Sequence, residues 1–102
     1  MVLLEFSMSP LDKGESLSPY VSRIIDIIDK SGINYRLTAM GTILEGEYDE
    51  VMSVVRDCFN ELEKDCNRIS INLKMDYRKG SESRIHSKIN KIETLLKRNV
   101  KK

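Results

Sequence analysis

Residues 69–78 constrain the fold of this chain more than any other segment. Ile69, Ile71, Leu73, Met75 and Tyr77 alternate there with Ser70, Asn72, Lys74, Asp76 and Arg78. A period of two puts successive side chains on opposite faces of a strand, so the segment predicts a long β-strand, apolar on one face and polar on the other. Such a strand is stable only within a sheet whose apolar face is covered. The rest of the chain must therefore supply partner strands and a covering layer.

It supplies both. Val2, Leu4, Phe6 and Met8 alternate with Leu3, Glu5, Ser7 and Ser9, a first strand that Pro10 ends. After a turn through Gly14, Ser16 and Ser18 are candidate helix caps, with Pro19 in the first turn, where it is tolerated. Val21, Ile24, Ile25 and Ile28 then form one stripe at helical spacing, and Ser31-Gly32 stops the helix. Tyr35, Leu37 and Ala39 alternate with Arg36 and Thr38 as a second strand. Met40-Gly41 turns the chain into a third strand over residues 42–47. Asp49 opens a second helix whose stripe is Val51, Val54, Val55, Cys58, Phe59 and Leu62. The 69–78 strand follows, then a polar linker over residues 79–83, then an amphipathic helix marked by Ile85, Ile89, Ile92 and Leu96.

The order βαββαβ, with two crossovers around a hairpin, predicts an α+β, ferredoxin-like sandwich. This is a four-stranded antiparallel sheet with two helices on one face, plus a C-terminal helix. The first and third strands form the central pair. The two helices are expected to cover Leu4, Phe6, Ile71 and Leu73. The opposite face carries Glu5, Ser7, Ser9, Thr38, Asn72, Lys74 and Asp76, an arrangement antiparallel sheets allow. At 102 residues the chain is one domain, 1–102. Its last helix has no obvious core to receive its stripe, so residues 79–102 are expected to contact another subunit.

Several function classes are excluded at this stage. No apolar run approaches the roughly 20 residues that span a bilayer, and no secretory leader is visible, so a cytoplasmic protein without membrane partners is expected. Cys58 and Cys66 are more than two helical turns apart, too far for a bridge, and with a single His they make a poor metal site. Residues 79–102 carry eight Lys and Arg against two acids, but no aromatic residue is interleaved for base stacking, which argues against nucleic acid. The loop after the first strand lacks the Arg of acylphosphatase-type phosphate loops. The sheet also lacks the stacking aromatics of RNA-recognition domains. Gly41, Gly46 and Gly80 match no phosphate-cradling spacing, and no nucleophile–base pair is visible. The expectation is a non-enzymatic protein with no catalytic residue, metal or cofactor.

Glu45 stands among apolar neighbours, where an ordinary strand would carry Val or Ile. A buried carboxylate needs a partner, and two are considered: a cationic ligand or a neighbouring subunit. If the central strands bring Ser7 close to Glu45, then Ser7, Thr42, Glu45 and Asp76 offer acceptors and hydroxyls to a small cationic or amide-bearing heterocycle. Tyr35 would then provide an aromatic surface. The alternative is a structural or regulatory homo-oligomer whose polar sheet face is an interface.

Five motifs in order resemble a known family: Pro10-Leu11 through Gly14, Ser16, Ser18, Tyr20 and Val21; Ser31-Gly32 before Tyr35; Met40-Gly41-Thr42; Glu45-Gly46; and Arg68 followed by Lys74, Asp76 and Arg78. The chain is similar over residues 2–97 to the thiamine-binding, MTH1187/YkoF-like proteins (UPF0045). The resemblance implies a ferredoxin-like subunit that pairs into homodimers and homotetramers and binds thiamine or its hydroxymethylpyrimidine moiety without catalysing a reaction. It carries Thr42, Glu45 and Asp76 over as site residues. The chain departs from the family pattern at Tyr77, where a second Asp is common, and at Asp12-Lys13, where Gly-Thr is common.

Overall fold

A computed structural model describes residues 1–102. The strands are β1 (Val2–Pro10), β2 (Asn34–Leu37), β3 (Thr42–Gly46) and β4 (Ile69–Tyr77), and the helices are α1 (Ser18–Ser31), α2 (Tyr48–Glu63) and α3 (Ser87–Leu96). They form a four-stranded sheet in the order β2-β3-β1-β4. All three pairings are antiparallel, so the molecule is a ferredoxin-like α+β sandwich with β1 and β3 at its centre.

The alternation in β1 sets the core. Val2, Leu4, Phe6 and Met8 are buried, and Leu4 lies directly opposite Leu44 on β3, both fully buried. Helices α1 and α2 pack on each other, with their main sheet contacts on β1 and β3. Ile24 and Ile28 of α1 and Val51, Val54, Cys58 and Leu62 of α2 fill the space between. Each of the aliphatic side chains among them contributes about 1.5–3 kcal/mol when fully withdrawn from water.

Local boundaries follow backbone chemistry. Pro19 lies in the first turn of α1, and Gly32 ends the helix in the left-handed conformation (φ 77°), its N–H donating to the Asp29 carbonyl. The predicted serine caps are not used: Leu17 occupies the cap position without a side-chain bond. At α2 the cap is Glu47 rather than Asp49. Ile85, predicted in the last helix, lies before α3 and is buried in the segment that leads to it.

One expectation about the core is corrected. Leu4 and Phe6 are covered, but Ile71 and Leu73 are 38% and 46% exposed, as are Met75 (39%) and Tyr77 (64%). They share the face of Leu4 and Phe6, since β4 pairs Leu73 with Phe6 and Met75 with Leu4. The helix layer is centred on β1 and β3, so the edge strand overhangs it. Helix α3 buries none of its residues, and Ile92, Leu95 and Leu96 face solvent. No helix is long and apolar enough to cross a membrane.

Candidate functional site

The register separates the predicted site residues into two groups. Glu45 pairs with Leu3 on one side and Asn34 on the other, and Leu3 pairs with Asp76. Asn34, Glu45, Leu3 and Asp76 therefore form one row across the sheet face away from α1 and α2. Ser7 pairs with Asn72, four residues along β1 from Leu3. At about 3.3 Å per residue this puts it roughly 13 Å from the Glu45 row. The expectation that Ser7 lies beside Glu45 is thus corrected. Thr42 pairs with Phe6 and so lies on the helix face, opposite to Glu45. Tyr35 also lies on that face, opposite Leu44, and its hydroxyl donates to Asp29 Oδ1 at 2.8 Å.

Glu45 is 4% exposed, and its partner is neither of the two considered from sequence. It is the chain's own segment before α3. Ser83 Oγ and Asn34 Nδ2 donate to Oε1 at 2.5 and 3.1 Å, and the Arg84 backbone N–H donates to Oε2 at 2.5 Å. Burial pushes the Glu45 carboxyl upward, but the bonds from Ser83, the Arg84 amide, Asn34 and the Ile85 amide outweigh it and hold the pKa below its ordinary value. The Arg84 side chain, also buried, donates to the Asp76 carboxylate, to the Asp76 carbonyl at 3.1 Å and to the Met1 carbonyl at 3.2 Å. Arg84 is the main reason the Asp76 carboxyl is held below the usual carboxylate range, with Lys88 and Arg78 adding to it. Glu45 and Asp76 thus clasp residues 83–85 to the sheet. Sequence reasoning missed Asn34, Ser83 and Arg84. Arg84 left one signal, a cation directly before Ile85 at the end of the polar 79–83 linker.

The other two predicted polar residues border a cavity. Between the end of β1, helix α1 and the β2–β3 hairpin lies a cavity of about 150 Å³, walled by Phe6, Val21, Ile24, Ile25 and Leu37 and bordered by Ser7 and Thr42. The hairpin tip is built by Thr38. Its Oγ1 accepts from the Met40 and Gly41 amides and donates to the Gly41 carbonyl, so this side chain is consumed by the turn. Gly41 sits so close to β1 that an added Cβ would be 2.9 Å from the Phe6 carbonyl oxygen. The lining contains no His, carboxylate or Lys. No group of three or more His, Cys, Asp or Glu side chains is arranged to hold a metal ion.

The four-stranded antiparallel sheet with its helix layer places the molecule among the small ferredoxin-like α+β proteins. Its family is also clear. The chain belongs to the thiamine-binding protein family, whose model matches residues 4–93. It is 36% identical over 94 residues to the UPF0045 protein MJ1052 of Methanocaldococcus jannaschii, covering 92% of this chain and 94% of that protein. The crystal structure of MJ1052 superposes with a TM-score of 0.81 over 89% of this chain and 94% of its own. A Thermotoga maritima structure, TM0486, described as a candidate thiamine biosynthesis/salvage protein, is 27% identical. Its TM-score is 0.78, over 89% of this chain and 97% of that one.

Proposed function

We propose that this protein binds thiamine or its hydroxymethylpyrimidine half without transforming it, and that the ring enters the hairpin cavity. The observation that carries this is the cavity itself, about 150 Å³ with apolar walls. Drug-sized ligands occupy roughly 300–1,000 Å³, so the space suits one heteroaromatic ring and leaves the rest of thiamine outside. Family membership and the description of TM0486 support the ligand class. The lining offers hydroxyls and main-chain groups for orientation but no general base beside a nucleophile, which supports binding rather than catalysis. Glu45 and Asp76 are assigned to holding the 83–85 segment, and Ser7 and Thr42 to the cavity rim. Isothermal titration with thiamine and with the free pyrimidine tests the reading. A ligand at 100-fold excess over its Kd stabilises the fold by about 2.7 kcal/mol, so no heat and no thermal shift at millimolar thiamine would refute it. Recovery of chemically altered thiamine would refute the non-enzymatic part.

The uncovered row on β4 supports a homo-oligomeric assembly. A nine-residue edge strand with four exposed apolar side chains on one face is a surface that soluble proteins normally cover. A second copy pairing along β4, with α3 packing across, would cover it. Sedimentation should give a dimer or tetramer, and Leu73→Glu should shift it towards monomer. A monomeric wild-type protein at micromolar concentration would refute the assembly.

A further inference from the structure

We propose that the main chain of Met8 reads the amino-bearing edge of the pyrimidine, so that the hairpin cavity selects a 4-aminopyrimidine over its 4-oxo counterpart. The inference rests on the reading above and adds its specificity.

The argument begins with the ladder. In an antiparallel strand both backbone groups of a residue point to the same side, and the side alternates along the chain. On β1 the odd-numbered residues face β4. The Leu11 N–H donates to the Arg68 carbonyl and the Arg78 N–H to the Met1 carbonyl, two pairs of the same register. The even-numbered residues therefore face β3, where Val2, Leu4 and Phe6 meet Gly46, Leu44 and Thr42. Met8 comes next in this series, but β3 begins at Thr42, and the chain has already turned away through the Thr38–Gly41 hairpin. No ladder, turn or loop bond falls on Met8. Its N–H and C=O point into the cavity from a residue that is only 4% exposed. An unpaired donor and acceptor at a buried residue is a cost that the folded protein relieves with water or a ligand.

The two groups form an adjacent donor and acceptor in the plane of the sheet, the arrangement that a further strand would satisfy. A 4-aminopyrimidine presents the complement: a ring nitrogen that accepts, next to an amino group that donates. Seated there, the ring continues the sheet as a single rung, with Ile24 and Ile25 of α1 over one of its faces. A 4-oxo ring presents N–H and C=O instead, setting donor against donor and acceptor against acceptor. The substituent that joins the pyrimidine to the thiazolium must leave through the cavity mouth, which prevents the ring from turning over to restore the match. A site built around buried hydrogen-bonding groups discriminates strongly against a ligand that leaves them unpaired.

The test uses the full chain and three probes: thiamine, pyrithiamine (same aminopyrimidine, different cation) and oxythiamine (4-oxo ring). Thiamine and pyrithiamine should bind within a few-fold of each other, and oxythiamine at least tenfold more weakly. In ¹⁵N-labelled protein the Met8 amide should move on saturation with thiamine. Met8→Leu, which keeps the main chain, should retain the preference. Equal affinity for thiamine and oxythiamine, a stationary Met8 amide, or a preference lost in Met8→Leu would overturn the inference while leaving thiamine binding intact. If neither thiamine nor pyrithiamine binds, the functional reading falls with it.

Discussion

Replacing Glu45 with Gln should release the segment that leads into α3 while leaving the sandwich folded. The carboxylate accepts from Ser83 Oγ, Asn34 Nδ2 and the Arg84 amide at a site only 4% exposed. Glutamine keeps one acceptor oxygen and turns the other position into a donor. The Arg84 N–H, which cannot reverse its role, or Asn34 then loses its acceptor. Hydrogen bonds to a charged group contribute about 1.5–3 kcal/mol each, and a stranded buried donor costs about 1–3 kcal/mol. A net loss of about 2–3 kcal/mol corresponds to roughly 30- to 150-fold at 1.36 kcal/mol per decade. The loss should appear locally, because α3 buries none of its residues against its own chain. Native-state hydrogen exchange is the direct assay: the Arg84 and Ile85 amides should exchange faster by that factor, while Leu4 and Leu44 stay protected. The same clasp depends on pH. The Glu45 pKa is lowered in the folded state, so the contribution is complete well above pH 4.5 and fades as pH falls through the folded value. Unchanged Arg84 exchange in Glu45→Gln, or uniform loss of protection across the sheet, would refute the clasp.

Other outcomes follow from packing and burial. Leu44→Ala, at a fully buried position opposite Leu4, should cost about 2–5 kcal/mol in urea denaturation. Gly41→Ala should destabilise by about 1–3 kcal/mol and weaken ligand binding. The new Cβ would meet the Phe6 carbonyl oxygen at 2.9 Å, and backbone can yield only by moving the hairpin. The Cys58 thiol, pushed up to about 12 by burial and then by the charge of Asp57, should resist alkylation at pH 8 until the protein is denatured, as mass spectrometry would show.

Periodicity determined most of the elements, although it carried the last helix back to Ile85 and the second strand on to Ala39, beyond the observed α3 and β2. The alternation in β1 and β4, the stripes of α1 and α2 and the stop at Gly32 are local properties of the chain, and the βαββαβ order then admits few topologies. The parity of the candidate site was also legible: Thr42 and Glu45 are three residues apart on one strand and must point to opposite faces, so they could never share a ligand surface. Register was not legible. The Thr38–Gly41 turn fixes where β3 begins against β1, and that places Glu45 beside Leu3 and leaves Met8 without a strand partner. The partner of Glu45 lies 38 to 39 residues downstream, in a linker with no periodicity to announce it. A carboxylate in a strand signals that some donor must come to it, because burying the charge alone is too costly. Only the tertiary structure decides which donor arrives, since that depends on how distant segments close over the sheet.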